Sequence, residues 1–400
     1  MTRTAVLAYS GGLDTSCAIA WLKEDYGFDE VIAVLVDVGQ EFDVEASIAR
    51  GRAAGAEVLH VDLVDTFAEE QVARALKTNA LYEGRYPLIS SLSRPVIAQA
   101  VAEVASDVGA EAVVHGCTGK GNDQLRFELA FKATYPGVHV IAPLRDQVRN
   151  REEEIEYALA RGIPVSAAPS SPFSIDENLL GRSIEAGVLE DPWVAPPPQA
   201  FALTADPDDA PEPTELLIEF EEGLPVALDG DPLPLAELVK MLNGQAGAYG
   251  IGRIDMIENR VVGIKSRELY EAPAALVLID AHRALEDLTL TKAELRTKRQ
   301  LEITWTNLVY EGQWFSPLRT AIDAFVDVTQ GVVTGEVRVA LRAGAAVVTG
   351  RRSPAGLYAE ALASYGAADT FPHGAAEGFI ALTALETDLL AARARALETV

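Results

Sequence analysis

The stretch LAYSGGLDTS, residues 7 to 16, is the most informative part of this chain for predicting its fold. An apolar run, Ala5–Ala8, is followed by two adjacent glycines, Gly11 and Gly12, and then by polar residues that open a helical pattern. Two glycines let the backbone turn tightly and approach a ligand without a Cβ in the way. The N-terminus of the following helix directs unpaired N–H groups and the positive end of its dipole at the loop. The stretch therefore predicts a strand–loop–helix unit that binds phosphate groups.

This loop differs from the two commonest phosphate-binding motifs. A Walker A loop ends in Gly-Lys-Ser/Thr and a dinucleotide fingerprint has three spaced glycines, and neither pattern occurs here. The order Ser-Gly-Gly-x-Asp-Thr-Ser instead resembles the pyrophosphate loop of the ATP pyrophosphatases, which cut ATP between the α and β phosphates. An ordinary strand–turn–helix corner is the alternative interpretation, because Gly-Gly turns and Asp, Ser or Thr caps are common.

Composition limits the class of protein. The chain has 400 residues, long enough to bury large cores and to form about two or three domains. Its formal net charge of −27 argues against a nucleic-acid-binding surface, because phosphate contacts need clustered lysine and arginine. Only two cysteines occur, Cys17 and Cys117, which is typical of a reducing compartment. No apolar run approaches the roughly 20 residues of a membrane span. We therefore expect a soluble, cytoplasmic protein with no nucleic-acid or membrane partner.

Strands and helices alternate over residues 1–165, which predicts a nucleotide-binding domain. Predicted strands are Ala5–Ala8, Val31–Val36, Glu57–Val61, Ala112–His115 and Val138–Ala142. Predicted helices are Thr15–Asp25, Val44–Gly55, Thr66–Thr78, Pro95–Val108 and about Asn122 to Ala133. Apolar strands spaced by helices indicate an α/β fold with a doubly wound parallel sheet. Ligands bind such sheets at the carboxyl ends of the strands, where the Ser10 loop and the Gly116–Asp123 loop both lie.

The pattern changes after Pro164, which predicts a second, α+β domain over residues 166–370. Predicted strands are Thr214–Phe220, Pro225–Leu228, Arg253–Glu258 and Arg260–Ile264, with a helix at Leu235–Asn243. Residues 371–400 form the third predicted unit, a C-terminal helix over Ala375–Leu397. A long terminal helix of this kind is suited to oligomerisation.

A second motif, HGCTGKGNDQLR at residues 115 to 126, supplies polar groups of a different kind. Lys120 can neutralise a phosphate oxygen. Asn122 and Arg126 are four residues apart on a predicted helix and therefore share one face. Arg126 suits a carboxylate and Asp123 suits an ammonium group, so the pair favours an amino acid as ligand. The alternative is a glycine-rich turn with solvated surface charges.

Together these motifs are similar to the argininosuccinate synthase family. The matching segments run in order to about residue 360, and they are AYSGGLDTS (8–16), Tyr86, SLSRP (91–95), TGKGNDQLRFE (118–128), SIDEN (174–178), GRIDMIENR (252–260) and GIKSRELYEAP (263–273). The resemblance implies an adenine nucleotide alpha-hydrolase-like domain followed by a synthetase domain. It implies that ATP drives the ligation of citrulline and aspartate through citrullyl-AMP, giving argininosuccinate, AMP and pyrophosphate for arginine biosynthesis. It also implies Mg²⁺ and a homotetramer.

The resemblance assigns a role to each matching position. Implied ATP contacts are Ala8, Tyr9, Ser10, Gly11, Gly12, Leu13, Asp14, Thr15, Ser16, Val36 and Gly116. Implied aspartate contacts are Thr118, Asn122 and Asp123. Implied citrulline contacts are Tyr86, Ser91, Asn122, Arg126, Ser174, Ser183, Glu258 and Tyr270. In this scheme Arg126 holds the citrulline carboxylate and Glu258 holds its ammonium group. No metal ligand is assigned, although Asp14 and Asp123 are candidates both for Mg²⁺ and for a catalytic role.

Other interpretations remain open for single residues and for the whole chain. Ser174 can be a helix N-cap completed by Glu177, Tyr86 a packing residue and Glu258 a solvated charge. A tRNA thiolase uses the same loop with two cysteines, and Cys17 and Cys117 both lie beside the predicted site. A nucleotide-binding sensor without enzymatic activity would also use the same α/β core.

Overall fold

The computed structural model describes residues 2–146, 151–165 and 172–398. Residues 166–171, where the second domain is predicted to begin, lie outside the described residues. The described chain divides into two compact units between Ala355 and Gly356.

The first part of the chain forms a parallel sheet of five strands in the order β3-β2-β1-β4-β5. Its elements are β1 (Thr4–Tyr9), α1 (Leu13–Glu24), β2 (Glu30–Asp37), α2 (Val44–Ala53), β3 (Glu57–Asp62), α3 (Val64–Thr66), a π-helical segment (Phe67–Val72), α4 (Ala73–Lys77), α5 (Ile89–Val108), β4 (Ala112–Val114), α6 (Asp123–Thr134), β5 (His139–Ile141), α7 (Pro143–Asp146) and α8 (Arg151–Ala160). All five predicted strands are present. The doubly wound α/β fold is therefore confirmed.

The strand order reverses between β1 and β4, because the chain adds strands first on one side of β1 and then on the other. Val6 of β1 lies opposite Ile32 of β2 on one side and Val113 of β4 on the other. The loops that leave β1 and β4 therefore flank the crevice where open α/β sheets bind ligands.

The region after residue 172 forms two antiparallel sheets with helices. Its elements are β6 (Ser174–Asn178), β7 (Gly181–Glu185), β8 (Thr214–Glu221), β9 (Leu224–Leu228), β10 (Asp231–Pro232), α9 (Leu235–Gly247), β11 (Arg253–Asn259), β12 (Lys265–Glu271), α10 (Pro273–Thr289), α11 (Lys292–Tyr310), α12 (Pro317–Gln330), β13 (Gly335–Arg342) and β14 (Ala345–Arg352). One sheet has the order β10-β9-β8-β13-β14 and the other has the order β11-β12-β7-β6. This arrangement confirms the predicted α+β architecture.

Two hydrophobic cores cover the two faces of the parallel sheet. On one face α1 packs against the sheet through Trp21 and Ile19, which are fully buried. On the other face α5 packs against it through Leu92 and Val101. The second core continues into the antiparallel sheets and includes Leu278 of α10. One packed interior therefore supports both kinds of sheet.

Two sequence predictions about these elements are wrong, and one alternative interpretation is excluded. Arg260–Ile264 is the turn between β11 and β12, in which the backbone N–H of Arg260 donates to the carbonyl of Ile264. Ser174 begins a strand, so the alternative in which it caps a helix fails. The segment Ala375–Leu397 forms two helices and not one, because the helix is interrupted at Ala384.

The unit after Gly356 contains α13 (Glu360–Ala363), α14 (His373–Thr383) and α15 (Leu385–Glu398). The apolar side chains of α14 and α15 are exposed, and Phe379 and Leu389 keep 70% and 71% of their accessible surface. The presence of C-terminal helices is confirmed, in two pieces.

Candidate functional site: a phosphate loop beside an amino-acid pocket

The loop after β1 has the shape that the sequence predicts. Gly11 adopts a left-handed φ of +76°, and a Cβ there would lie 2.5 Å from the hydroxyl oxygen of Ser47. Only glycine therefore fits this turn without displacing α2. Helix α1 begins at Leu13 with Gly12 as its N-cap, so its first N–H groups open toward the loop. This arrangement can hold a pyrophosphate.

Hydroxyl groups stiffen the loop from inside. The hydroxyls of Ser10 and Thr15 lie 3.0 Å apart, and Ser16 donates to the carbonyl of Gly12 at 2.7 Å. The hydroxyls of Tyr9 and Ser16 lie 3.0 Å apart beneath the loop, and both residues are buried. Ser10 and Gly12 are exposed on its outer side. Tyr9 and Ser16 thus shape the loop, while Ser10 and Gly12 are accessible to a ligand.

The loop after β4 packs directly against the first loop. A Cβ on Gly116 would lie 2.7 Å from the Cγ2 methyl of Thr15, which is closer than real Cβ contacts allow. Val36, at the end of β2, is buried on the other side of β1. From Gly116 the chain runs through Thr118, which is exposed, to the start of α6 at Asp123. The same connection therefore links the phosphate loop to a second pocket.

The wall of this second pocket is one face of the sheet β11-β12-β7-β6. Residues two apart on a strand share a face, and residues directly opposite in an antiparallel pair share it too. The shared face carries Ser174 and Asp176 of β6, Ser183 and Glu185 of β7, Ser266, Glu268 and Tyr270 of β12, and Glu258 of β11. All of these except Ser266 line one open cavity. A sheet face with polar residues on every strand is unusual for a protein interior and indicates a binding site.

The opposite side of the cavity comes from the α/β part of the chain. Tyr86, Ser90, Asn122, Asp123 and Arg126 line it. Tyr86 stacks on Tyr270 with ring centroids 4.1 Å apart, so the two sides are joined by an aromatic contact. Seven of the eight predicted citrulline residues therefore line one cavity, namely Tyr86, Asn122, Arg126, Ser174, Ser183, Glu258 and Tyr270, and the eighth, Ser91, does not.

Asp123 lies between two arginines. One carboxylate oxygen accepts from Nε of Arg94 at 2.9 Å, and the other accepts from Nη1 of Arg126 at 2.7 Å. Burial by itself would raise the pKa of Asp123, but the charges of both arginines outweigh it and hold that pKa well below its ordinary value. Asp123 is therefore a fixed anion and not a proton acceptor.

Arg126 keeps one donor for a ligand. Its Nε donates to the backbone carbonyl of Tyr310 at 3.0 Å, and its Nη1 holds Asp123. Its Nη2 is buried without a hydrogen-bond partner among the residues that the structure describes. A buried guanidinium nitrogen left without a partner is costly, so this position favours an anionic group such as a carboxylate.

Glu258 supplies negative charge on the facing strand. One of its oxygens accepts from the hydroxyl of Tyr270 and the other from the hydroxyl of Tyr310, in two very short hydrogen bonds. Burial raises the pKa of Glu258, and the two hydroxyl donors partly offset that rise. Glu258 is only 3% exposed, which excludes the alternative of a solvated strand charge.

Two of the predicted citrulline contacts, Ser91 and Ser174, differ from the others in where they lie. Ser91 is fully buried, and its hydroxyl has no hydrogen-bond partner in the described part of the chain. Its neighbour Ser90 lines the cavity instead and donates to Asp176 at 2.5 Å. Ser174 is exposed at the cavity mouth. The hydroxyl beside the pocket on α5 is therefore that of Ser90.

Several polar residues of the site have no counterpart in the sequence prediction. Arg94 bridges Asp123 and Asp176, and its Nη2 lies 2.6 Å from Asp176. Arg260 pairs with Glu185 and Glu268, and burial together with the charge of Glu185 raises the pKa of Glu268 to about 7. The alternation of polar residues in Ser174-x-Asp176 and Ser266-x-Glu268-x-Tyr270 could have indicated Asp176 and Glu268 from the sequence. Tyr310 carries no such signal, because it is the last residue of a helix distant in sequence.

Neither cysteine is arranged for sulfur chemistry. Cys17 is fully buried on α1, and its Sγ lies 3.7 Å from the backbone carbonyl of Glu154. Burial, with the nearby charge of Asp123, raises the pKa of the Cys117 thiol far above its ordinary value. A thiol of this kind is a poor nucleophile, which argues against a tRNA thiolase.

Comparison with known proteins identifies the family of this chain. Residues 4–164 match the family described as the arginosuccinate synthase N-terminal HUP domain, and residues 173–390 match the arginosuccinate synthase C-terminal domain. The chain belongs to the argininosuccinate synthase family. The argininosuccinate synthase of Chlorobaculum tepidum is 53% identical over 382 residues, which cover 95% of each chain.

Other relatives are equally similar over nearly their full length. The argininosuccinate synthase of Parasynechococcus marenigrum is 53% identical over 393 residues, covering 98% of each chain. That of Geobacillus kaustophilus is 54% identical over 384 residues, covering 96% of this chain and 94% of the relative. The predicted membership of the argininosuccinate synthase family is confirmed.

Proposed function

We propose that this chain joins citrulline and aspartate at the expense of ATP, giving argininosuccinate, AMP and pyrophosphate. The observation that carries the proposal is the pairing of Arg126 and Glu258 across one buried pocket. Arg126 offers an unpartnered Nη2 and Glu258 offers a carboxylate, and citrulline has both a carboxylate and an ammonium group to match them. The phosphate loop beside this pocket supplies the nucleotide site.

The reaction takes place in two displacements at the boundary of the two pockets. In the first, the ureido oxygen of citrulline attacks the α-phosphorus of ATP, and the bond to the β-phosphate oxygen breaks, which releases pyrophosphate. In the second, the amine of aspartate attacks the activated ureido carbon and displaces AMP, with loss of one proton from nitrogen. The N–H groups at the start of α1 neutralise the charge that develops on the phosphates. The chain contributes mainly position and charge.

Aspartate is proposed to bind between Thr118, Asn122 and Asp123. Thr118 is exposed on the connection that leaves Gly116, and Asn122 and Asp123 open the helix that carries Arg126. Asp123 stays ionised because Arg94 and Arg126 hold it, so it attracts the aspartate ammonium group without removing its proton. In this position the amine lies beside the pocket of citrulline.

Mg²⁺ is proposed to arrive with ATP. Within residues 2–146, 151–165 and 172–398, no cluster of three histidine, cysteine or acidic side chains could hold a metal ion. Mg²⁺ commonly binds phosphate oxygens and water with only one or two carboxylates. Asp14, in the first turn of α1, is the carboxylate of the phosphate loop and the proposed protein ligand.

We further propose that three parts of the chain have different roles. Residues 1–165 bind the nucleotide, residues 166–370 complete the amino-acid pocket, and the helices after residue 371 join copies of the chain into a homotetramer. The exposed apolar side chains of α14 and α15 support the last point. No helix in the described ranges is long and apolar enough to cross a membrane. The presence of only two cysteines supports a reducing, cytoplasmic setting.

Pyrophosphate release tests the proposed reaction. The protein is incubated with ATP, Mg²⁺, citrulline and aspartate, and each amino acid is then omitted in turn. Release should require citrulline, and formation of argininosuccinate should require aspartate as well. Pyrophosphate release that is unaffected by citrulline would refute the assignment, and no release at all would favour a nucleotide-binding sensor.

A further inference from the structure

Tyr310 lies behind the amino-acid pocket and contacts three of its polar residues. It is the last residue of α11 and is 1% exposed. Tyr310 is not among the described residues that line the cavity. Its contacts nevertheless connect the cationic and the anionic sides of the pocket.

The hydroxyl of Tyr310 is fixed as a donor to Glu258. Burial and the neighbouring charge of Glu258 raise the pKa of Tyr310 far above its ordinary value, so the hydroxyl keeps its proton. That proton goes to Glu258, because a charged acceptor binds it more strongly than the backbone carbonyl of Asn259 at 3.2 Å. Asn122 in turn donates its side-chain amide to the same hydroxyl at 2.8 Å. One hydroxyl therefore orients an amide and a carboxylate of the pocket.

The backbone and ring of Tyr310 fix Arg126. The carbonyl of Tyr310 accepts from Nε of Arg126 at 3.0 Å, and the guanidinium lies 4.9 Å from the ring centroid. The turn that follows the helix packs closely on α6, since a Cβ on Gly312 would lie 2.9 Å from the Cα of Arg126. Tyr310 thereby fixes the position of the guanidinium of Arg126, a residue that lines the pocket.

We propose that Tyr310 is a positioning residue that sets the separation and charge of Arg126 and Glu258 for an α-amino acid. The inference rests on the proposed function, because it takes citrulline as the amino acid held between these two groups. The ring of Tyr310 is itself held by Tyr82, stacked on it at 3.5 Å between centroids. A rigid aromatic support of this kind keeps both groups preorganised.

The test compares Tyr310→Phe with Tyr82→Phe in the full-length enzyme. Tyr310→Phe removes only the hydroxyl, and it keeps the ring stack and the backbone carbonyl that accepts from Arg126. Tyr82→Phe is a matched control, because it keeps the ring that stacks on Tyr310 and removes a hydroxyl that donates to the backbone carbonyl of Asn259 at 2.8 Å and not to the carboxylate of Glu258. Initial rates of pyrophosphate release give KM for citrulline and for ATP over a range of pH.

Tyr310→Phe should raise KM for citrulline about tenfold, the effect of one hydrogen bond to a charged group. It should leave KM for ATP within about twofold, by the same reasoning, because no nucleotide contact changes. Loss of the donor raises the pKa of Glu258 further, so the acid limb of kcat/KM for citrulline should move to higher pH. Tyr82→Phe should leave that limb in place.

The outcomes separate the two proposals. Wild-type enzyme without citrulline-dependent pyrophosphate release would overturn the proposed function and this inference with it. An active wild type, with an unchanged acid limb and citrulline KM in Tyr310→Phe, would overturn the role of Tyr310 alone. A parallel rise in the KM values of citrulline and ATP would show a general structural role and would also contradict the proposal.

Discussion

Two adjacent serines at the start of α5 have different surroundings. Ser90 lines the pocket, donates to Asp176 and lies 3.3 Å from the hydroxyl of Ser183, whereas the hydroxyl of Ser91 is inside the protein. We expect Ser90→Ala to raise KM for citrulline by about three- to tenfold, the effect of a typical hydrogen bond. Ser91→Ala should leave that KM within about twofold, since among the described residues its hydroxyl has no hydrogen-bond partner to lose. Steady-state rates at saturating ATP and aspartate measure both, and the opposite order of effects would restore Ser91 as the pocket hydroxyl.

Asp123 offers a second prediction, which concerns charge and not proton transfer. Asp123→Asn leaves Arg94 and Arg126 without their shared anion and should lower kcat/KM for aspartate about 10- to 100-fold. Since the pKa of Asp123 is held well below its ordinary value, the carboxylate is already charged on the acid side of neutrality. The variant should therefore lower the rate at every pH without moving the acid limb. Loss of the acid limb from the pH profile of kcat/KM in Asp123→Asn would instead identify Asp123 as the general base.

Sequence reasoning identified the pocket at the level of motifs but not of every side chain. Arg126, Glu258 and Tyr270, which the resemblance predicts as citrulline contacts, line one cavity. Ser90 and Ser91 could not be told apart, because the choice depends on where the first turn of α5 begins. That turn begins at Ile89, after Leu88 in a left-handed conformation, a geometry that no local sequence pattern indicates. Predicting Tyr310 would require knowledge of how α11 packs on α6.

Among the elements, β12 shows why hydrophobic patterns mislead near a site. The apolar segment Arg260–Ile264 suits a strand by composition, yet it forms an exposed turn in which Gly263 has a φ of +87°. The polar segment Lys265–Glu271 forms the strand, because it pairs with β11 and β7 on both sides. Its inward face is polar since that face lines the pocket. A strand whose buried face binds a polar ligand lacks the apolar alternation that identifies strands.

The contact between the two loops gives a prediction at the same scale. Gly116→Val places methyl groups against Thr15 and should push the β4 loop away from the phosphate loop. We expect KM for ATP to rise about tenfold or more, because an error of about 1 Å in the position of reacting groups is costly. Gly119→Ala is the control, as its Cβ would make an ordinary contact 3.6 Å from the Cγ of Arg145. Equal KM values for ATP in both variants would show that the loops bind nucleotide independently.

At the scale of the whole molecule, the order of the parallel sheet places the two pockets side by side. Near-continuous apolar strands between helices predicted that sheet, and the reversal between β1 and β4 brings the loops of Ser10 and Gly116 to one crevice. The antiparallel sheet then adds Glu258 and Tyr270 from residues distant in sequence. Such long-range assembly cannot be read from periodicity, and only the ordered set of motifs predicted it.

The C-terminal helices provide the last prediction, which concerns assembly. In solvent, α14 and α15 leave large apolar side chains exposed, among them Phe379, Ile380 and Leu389. Contact with another copy of the chain would remove this surface from water. Truncation after Phe371 should therefore lower the mass measured by multi-angle light scattering. Leu389→Glu in the full chain should act in the same direction, whereas Glu386→Gln on the same helix should leave the mass unchanged. A truncated protein of undiminished oligomeric mass would exclude these helices as the oligomerisation element.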